Sequence, residues 1–70
     1  MQRTNVTSSN IDSIGYDGLT STLEIEFNDG GIYQYFNVPE NVYRSLMNSS
    51  SHGAYFHDNI KDKYRFRKIN

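Results

Sequence analysis

A cluster of cations near the C-terminus is the feature of this sequence best suited to binding chemistry. From Lys63 to Arg67 basic and aromatic residues alternate, which is the period of a β-strand. In a strand, the alternate cations would project from one face at intervals of about 6.6 Å, a spacing suited to the phosphates of a flexible nucleic-acid strand. The same pattern fits an exposed edge strand whose cations prevent aggregation, and an overall acidic chain favours that reading. We call residues 61–68 the basic segment; its cations are Lys61, Lys63, Arg65, Arg67 and Lys68.

Three tyrosines are candidates for stacking on nucleic-acid bases. Tyr33 and Tyr35 flank Gln34 in a predicted strand, and Tyr64 lies within the basic segment. Exposed aromatic residues on RNA-binding sheets stack bases in this way. Alternatively, tyrosine rings complete the core of a small domain while their hydroxyl groups stay hydrogen-bonded. We expect Tyr33 and Tyr35 to belong to the core, with one hydroxyl group reaching solvent.

Side chains that could support catalysis or metal binding occur between Ser51 and Asp58. Ser, His and Asp could act as nucleophile, base and orienting acid, and His52 and His57 could bind a metal ion. However, a separation of five residues places the two histidines about 140° apart around a helix. We therefore expect a capping serine and two surface histidines. The sequence predicts no catalytic residue, no metal site and no cofactor, and hence no enzyme.

Hydrophobic periodicity predicts the elements that position these residues. Ile11 and Ile14 differ in parity along the first strand, so we expect a bulge near Ser13 or Gly15. Residues 1–9 are polar apart from one valine and predict a loose arm or a short edge strand. The remaining predicted elements are strands at Ile11–Asp17, Thr20–Phe27, Ile32–Phe36 and about Tyr64–Lys68, a helix from Pro39 to about Asn48, and a second helix capped by Ser50 or Ser51.

The turn between the second and third predicted strands decides which face carries the tyrosines. Residues Leu23–Phe27 alternate between apolar and acidic side chains, and a turn follows. A two-residue loop at Asp29 and Gly30 would place Tyr33 and Tyr35 on the face of the glutamates. A three-residue loop that includes Asn28, with Gly30 in a bulge, would place them with the apolar residues. Gly30 at the fourth turn position favours the three-residue loop, and a slip of one residue reverses every side chain.

Composition limits the protein to a small domain with an uneven charge distribution. The chain has 70 residues, no cysteine, ten aromatic residues and a net charge of −1. One cation and six acidic residues give −5 up to Val42, whereas six cations and two acidic residues give +4 from Tyr43 onward. Such segregation fits a basic surface for a polyanion, or two halves that attract each other within the fold. The N-terminal residues lack an apolar signal region, so we expect a soluble, cytoplasmic protein.

Taken together, the residues resemble the KTSC domain, a short module found at the C-terminus of some lysyl-tRNA synthetases and in free-standing proteins of bacteria and phages. The resemblance covers nearly the whole chain. It implies a role in RNA binding and no catalytic residues. The residues that carry it are Ser9, Ile11, Ile14, Gly15, Tyr16, Asp17, Leu23, Ile25, Phe27, Tyr33, Gln34, Tyr35, Val38, Pro39, Val42, Tyr43, Leu46, Ser51, Gly53, Tyr55, Phe56, Ile60 and Lys61.

The order of elements predicts a single α+β domain over residues 1–70. We expect a three- or four-stranded antiparallel sheet with two short helices packed on one face. The functional expectation is a non-enzymatic binding module for RNA or another nucleic acid, with single-stranded RNA contacting the basic segment and the nearby tyrosines. The alternative is a protein-interaction module that acts through an exposed sheet edge or a helix face. Neither a membrane nor a small-molecule substrate is expected as a partner.

Overall fold

Hydrogen bonding between successive segments builds one antiparallel sheet, and two helices follow its fourth strand. The computed structural model describes residues 1–70. Each strand pairs with the next along the chain, in the order β1-β2-β3-β4-β5. The elements are β1 (Arg3–Asn5), β2 (Ile11–Asp17), β3 (Thr22–Phe27), β4 (Ile32–Tyr35), α1 (Glu40–Asn48), α2 (His52–Asn59) and β5 (Phe66–Lys68).

The α+β architecture is confirmed, but the predicted number of three or four strands was too low. Strand β1 forms from the N-terminal arm and pairs with β2, while β5 pairs with β4 at the opposite edge. Both edge strands contain three residues, and β5 starts two residues later than predicted. Such short strands carry too few positions for a hydrophobic period. In addition, β5 pairs with β4, which is distant from it in sequence.

A bulge in β2 allows residues of opposite parity to enter the same core. The register between β2 and β3 shifts between Ile11 and Ser13, so the extra residue is Asp12. As a result Ile11 and Ile14 are both completely buried, as the predicted bulge near Ser13 requires. They pack with seven other buried side chains from the sheet and helices. Each such burial contributes roughly 1.5–3 kcal/mol relative to exposure.

The hairpin between β3 and β4 has the three-residue loop that the sequence favours. The Phe27 N–H donates to the Gly31 carbonyl at 2.8 Å, which encloses Asn28, Asp29 and Gly30. Gly30 has a φ of 92°, a left-handed conformation that glycine adopts without a steric penalty. Leu23 therefore pairs with Tyr35, and Ile25 pairs with Tyr33. Because paired residues share a face, both tyrosines lie on the side of the sheet that the helices cover.

The two helices start where capping residues permit. Pro39, which was predicted as the first helical residue, is the N-cap of α1, so the helix begins one residue later at Glu40. Ser51 caps α2 and accepts a hydrogen bond from the Ala54 N–H at 3.2 Å, so the alternative Ser50 is not used. The apolar faces of the helices bury Leu46 and Phe56 against the sheet. Neither helix has the length and apolar character needed to cross a membrane.

Gly15 permits the close approach of β1, and this contact predicts a stability difference between two glycines. A Cβ atom at Gly15 would lie 2.7 Å from the Gln2 carbonyl oxygen, whereas at Gly18 its nearest neighbour would be 4.0 Å away. We expect Gly15→Ala to lower the free energy of unfolding by about 1–3 kcal/mol through overpacking. Gly18→Ala is the control and should change it by less than about 0.5 kcal/mol. Urea unfolding of both variants measures the difference, and equal midpoints would contradict the role of Gly15.

Candidate nucleic-acid interface

The basic segment presents its cations to solvent at one end of the chain. Lys61 and Lys63 lie in the turn after α2, Arg65 precedes β5, and Arg67 and Lys68 belong to β5. All five cations are exposed. The ion pairs of the protein involve Arg3 and Arg44 instead. No carboxylate therefore neutralises a cation of the basic segment within 4 Å.

The predicted row of three cations along one strand is only partly correct. Lys63 lies in the turn and is not part of the strand. The Arg65 carbonyl accepts from the Phe36 N–H at 2.9 Å, which continues the pairing of β4 with β5. Because side chains alternate along a strand, Arg65 and Arg67 share a face. The basic segment therefore has a pair of arginines on one face, with lysines in the preceding turn.

Arg67 and Lys68 lie on opposite faces of the sheet. Arg67 pairs with Gln34, which faces away from the helices, whereas Lys68 pairs with Tyr33 on the covered side. The Lys68 Nζ lies 5.9 Å from the centroid of the Tyr33 ring, a distance that permits a cation–π interaction. The cations thus surround the β5 edge instead of forming a single flat patch. An extended ligand along this edge can contact both sides.

Polar side chains on the helix-free face satisfy one another next to Arg67. The buried Glu24 forms an ion pair with Arg3 and accepts a hydrogen bond from Gln34 Nε2 at 2.9 Å. Arg3 also lies 3.6 Å from Glu26. Consequently the acidic residues of β3 are compensated by the N-terminal strand. They do not draw the C-terminal arginines into intramolecular pairs, and Gln34 separates Glu24 from Arg67.

The three tyrosines do not form an open platform on which bases could stack, as they would have to do as binding residues. Tyr35 is only 5% exposed, and Tyr33 and Tyr64 are half-buried and pack against the core. Phe56 approaches the Tyr35 ring edge-on, with centroids 5.4 Å apart. Burial, with smaller contributions from Tyr33 and Asp62, raises the pKa of Tyr35 to about 12. The expectation of core positions is confirmed for Tyr35, while Tyr33 packs against the core and remains partly exposed. Tyr35 offers no face to a stacking base.

A cleft lined by aromatic rings opens between the sheet and α2. Its volume is about 440 Å³, and we call it the aromatic cleft. Phe66 of β5 lies over the tyrosines, with its ring centroid 6.0 Å from Tyr33 and 5.7 Å from Tyr35. Polar groups also line the cleft and include Lys61 of the basic segment. The aromatic lining is Phe27, Tyr33, Tyr35, Phe56 and Phe66, and the polar side chains are Asn10, Asp29, His57, Lys61 and Asp62.

The serine and histidines considered as catalytic residues have structural partners instead. Ser51 caps α2, and His52 Nδ1 lies 2.8 Å from the Leu46 carbonyl oxygen at the end of α1. His57 is exposed, and its Nδ1 lies 3.3 Å from Asp58. Ser51, His52 and His57 are thus not arranged around a common reacting atom in a hydrogen-bonded series. No three His, Cys, Asp or Glu side chains group together in a way that could hold a metal ion.

Comparison with known protein families yields a match over most of the chain. The family model described as the KTSC domain matches residues 7–64. The chain belongs to the KTSC domain family. This result confirms the resemblance inferred from the sequence. The matched range contains both helices, the three central strands and the first half of the basic segment, while Arg65, Arg67 and Lys68 lie beyond it.

The relatives of this KTSC domain include parts of large enzymes and proteins of the same size. It is 43% identical over 54 residues to a lysine–tRNA ligase of Trichormus variabilis, which is 77% of this chain and 10% of the ligase. The chain thus spans about a tenth of the ligases that it matches. An uncharacterized protein of Stutzerimonas stutzeri is 37% identical over 70 residues, with 99% of each chain covered.

A crystal structure of a KTSC domain protein from Yersinia pestis has the same fold. The two structures superimpose with a TM-score of 0.96 and share 46% sequence identity. The alignment covers 99% of this chain and 97% of the other. The five-stranded arrangement is therefore shared with a solved member of the family.

Of the residues that line the aromatic cleft, only Tyr33, Tyr35 and Lys61 were selected from the sequence as binding residues. Phe66 and Asp62 are among those that were missed. Phe66 was placed opposite the cations of a strand, but its position beside Tyr33 and Tyr35 depends on the pairing of β5 with β4. Asp62 was counted only as a negative charge among cations, yet it lines the cleft. Period-two alternation assigns Phe66 a face, but no local pattern identifies the strand beside it.

The raised pKa of Tyr35 predicts a loss of stability at high pH. The folded protein holds the phenolic proton more tightly than the unfolded chain, whose tyrosines titrate near 10. The contribution of the protonated Tyr35 side chain to the free energy of unfolding is therefore complete below pH 10 and is lost as the pH rises toward 12. We expect the native protein to lose stability over this range relative to Tyr35→Phe, which has no phenolic proton. Urea midpoints of both proteins at pH 9, 10 and 11 provide the measurement, and parallel curves would contradict the prediction.

Proposed function

We propose that this KTSC domain is a non-catalytic module that binds single-stranded RNA through the basic segment. The observation that carries the proposal is the set of five exposed cations within eight residues, none of which is paired with a carboxylate. Unpaired Lys and Arg side chains release counterions when they contact phosphates, which drives association with nucleic acids. An enzyme is not proposed, because Ser51 caps α2, His52 contacts the end of α1, and the exposed His57 lies beside only Asp58.

The charge distribution supports a polyanionic ligand even though the net charge is −1. The acidic side chains of the first half are partly neutralised within the fold, as in the pairs of Glu24 with Arg3 and Glu40 with Arg44. The basic segment has five cations and one acidic residue, Asp62. A surface with a local excess of positive charge attracts an anionic strand over distances of about the Debye length.

The family relationship supports RNA as the polyanion. Relatives that match this chain include lysine–tRNA ligases, whose name specifies a tRNA substrate. A small RNA-contacting module within such an enzyme would increase the effective concentration of its substrate. For this chain, we propose the same chemistry toward a single-stranded RNA. The proposal predicts a cytoplasmic location, where such RNA is available.

A flexible single strand of RNA fits the shape of the basic segment better than a rigid duplex does. Its cations lie on both faces of an edge strand and in the preceding turn, so the ligand must bend around the edge. About four phosphate contacts are available, which gives a slope of about −3 for log K against log salt with a single strand. Binding would therefore be weak and strongly dependent on salt.

Charge changes in the basic segment test the proposed function. We expect Arg67→Gln to reduce affinity for a short single-stranded RNA and to make the salt slope shallower by about 0.7, because one phosphate contact is lost. Arg44→Gln is the matched control, since it removes one exposed arginine from α1 and leaves the slope unchanged. Combined substitution of Lys63, Arg65 and Arg67 by Glu should abolish binding. Fluorescence anisotropy at low salt measures these affinities.

The location of the RNA is measured independently by nuclear magnetic resonance. Titration with the same RNA should shift the amide signals of Arg65 and Arg67 before those of α1. An absence of shifts at millimolar RNA and low salt would refute the proposal. Equal weakening by Arg44→Gln and Arg67→Gln would refute the assignment to the basic segment.

A second candidate function is recognition of an extended protein segment at the edge of β5. The outer side of this strand has no partner in the sheet, and the nearby Phe66 and Ile69 are 57% and 43% exposed. An added strand would pair with the free backbone groups, and its side chains would contact these apolar residues. This function predicts a protein complex that survives 0.5 M salt and the triple Glu variant. A pull-down at low salt and at 0.5 M salt distinguishes the two functions, because the RNA complex would not survive 0.5 M salt.

A further inference from the structure

The exposed ring of Phe66 forms one wall of the aromatic cleft and borders the basic segment. Phe66 is 57% exposed although both of its ring neighbours, Tyr33 and Tyr35, are largely covered. The cleft volume of about 440 Å³ falls in the usual range for small ligands, about 300–1,000 Å³. A planar group could therefore contact Phe66 while the rest of its molecule follows the β5 edge.

The charges at the cleft favour a ligand that combines a planar ring with phosphate groups. Lys61 lines the cleft, and Lys68 lies beside Tyr33. These cations attract phosphates and repel a guanidinium or ammonium group that would otherwise suit an aromatic pocket. Asp29 and Asp62 also line the cleft and repel phosphates from its interior. A nucleotide satisfies both conditions when its base enters and its phosphates stay at the flanking lysines.

Asp62 has a carboxylate free to recognise such a base. It takes part in no side-chain hydrogen bond or ion pair of the protein, whereas Asp29 Oδ1 already accepts from the Gly31 N–H at 2.9 Å. An ionised carboxylate only accepts hydrogen bonds. Guanine presents two adjacent donors, N1–H and the N2 amino group, which match the two oxygens of a carboxylate. Uracil has a single N–H between two carbonyl groups, and adenine and cytosine place an acceptor beside their amino group.

We propose that the aromatic cleft binds one base of the RNA strand, with guanine preferred through Asp62 and with stacking on Phe66. This inference rests on the proposed function, because the phosphates of the same strand contact the basic segment. It adds a sequence preference that phosphate contacts alone cannot supply.

Short RNA strands that differ at one base test the preference. The native protein should bind a uridine heptamer with one central guanosine about tenfold more tightly than the all-uridine heptamer, since stacking and a bidentate contact are both added. Replacement of the guanosine by inosine, which lacks only the N2 amino group, should remove much of this gain. Adenosine at the same position should also bind less tightly than guanosine.

Two variants assign the preference to the cleft. Asp62→Asn should reduce the preference for guanosine to less than about twofold, while binding of the all-uridine heptamer persists. Phe66→Leu, which keeps an apolar side chain but removes the aromatic ring, should weaken the guanosine heptamer more than the all-uridine heptamer. Because Phe66 and Asp62 are exposed, the variants should fold, and their amide spectra check this. Lys63→Gln is the control, and it should weaken all heptamers equally.

The possible results separate this inference from the function on which it rests. Absence of binding to every heptamer would overturn both. Equal binding of all heptamers by the native protein would overturn the guanine preference and leave RNA binding intact. A preference that persists in Asp62→Asn would overturn the role of Asp62. Displacement of the guanosine heptamer from the cleft by N-acetylarginine amide, but not by guanosine monophosphate, would identify a peptide site and overturn the inference.

Discussion

The three-residue turn between β3 and β4 is the constraint on which the rest of the structure depends. Gly30 adopts a left-handed conformation at the end of this turn, and the resulting register pairs Tyr33 with Ile25 and Tyr35 with Leu23. A shift by one residue would exchange the faces of the tyrosines and Gln34. The buried aromatic contacts between β4 and α2 would then be lost, and a core of nine buried side chains has little to replace them.

The same register determines how the C-terminal residues are presented. Strand β5 takes its alignment from β4, so Arg67 lies beside Gln34 and Lys68 beside Tyr33. This alignment places the arginine on the helix-free face and the lysine next to the aromatic cleft. The binding surface is therefore a sheet edge with cations on two sides and an exposed ring between them. Local turn geometry at Gly30 is connected in this way to a surface more than thirty residues later in the chain.

Local patterns predicted much of the fold because their causes lie within a few residues. The opposite parity of Ile11 and Ile14 predicted the bulge, and the turn residues favoured the observed hairpin loop. Ser51 was one of two predicted caps, and it is the N-cap of α2. The two edge strands were harder to predict from the sequence, because Arg3–Asn5 has no apolar alternation and the position of β5 depends on its pairing with β4. The cleft involves Phe27, Phe56 and Phe66 from three separate elements, so its existence follows only from tertiary packing.

Nuclear Overhauser contacts among the aromatic and C-terminal side chains measure this register most directly. We expect contacts between the rings of Tyr35 and Phe56, and between the Tyr33 ring and the Lys68 side chain. We also expect contacts of Gln34 with Glu24 on the other face. Contacts of the Tyr33 or Tyr35 ring with Glu24, together with contacts of Gln34 with Phe56, would show the opposite register and contradict the account.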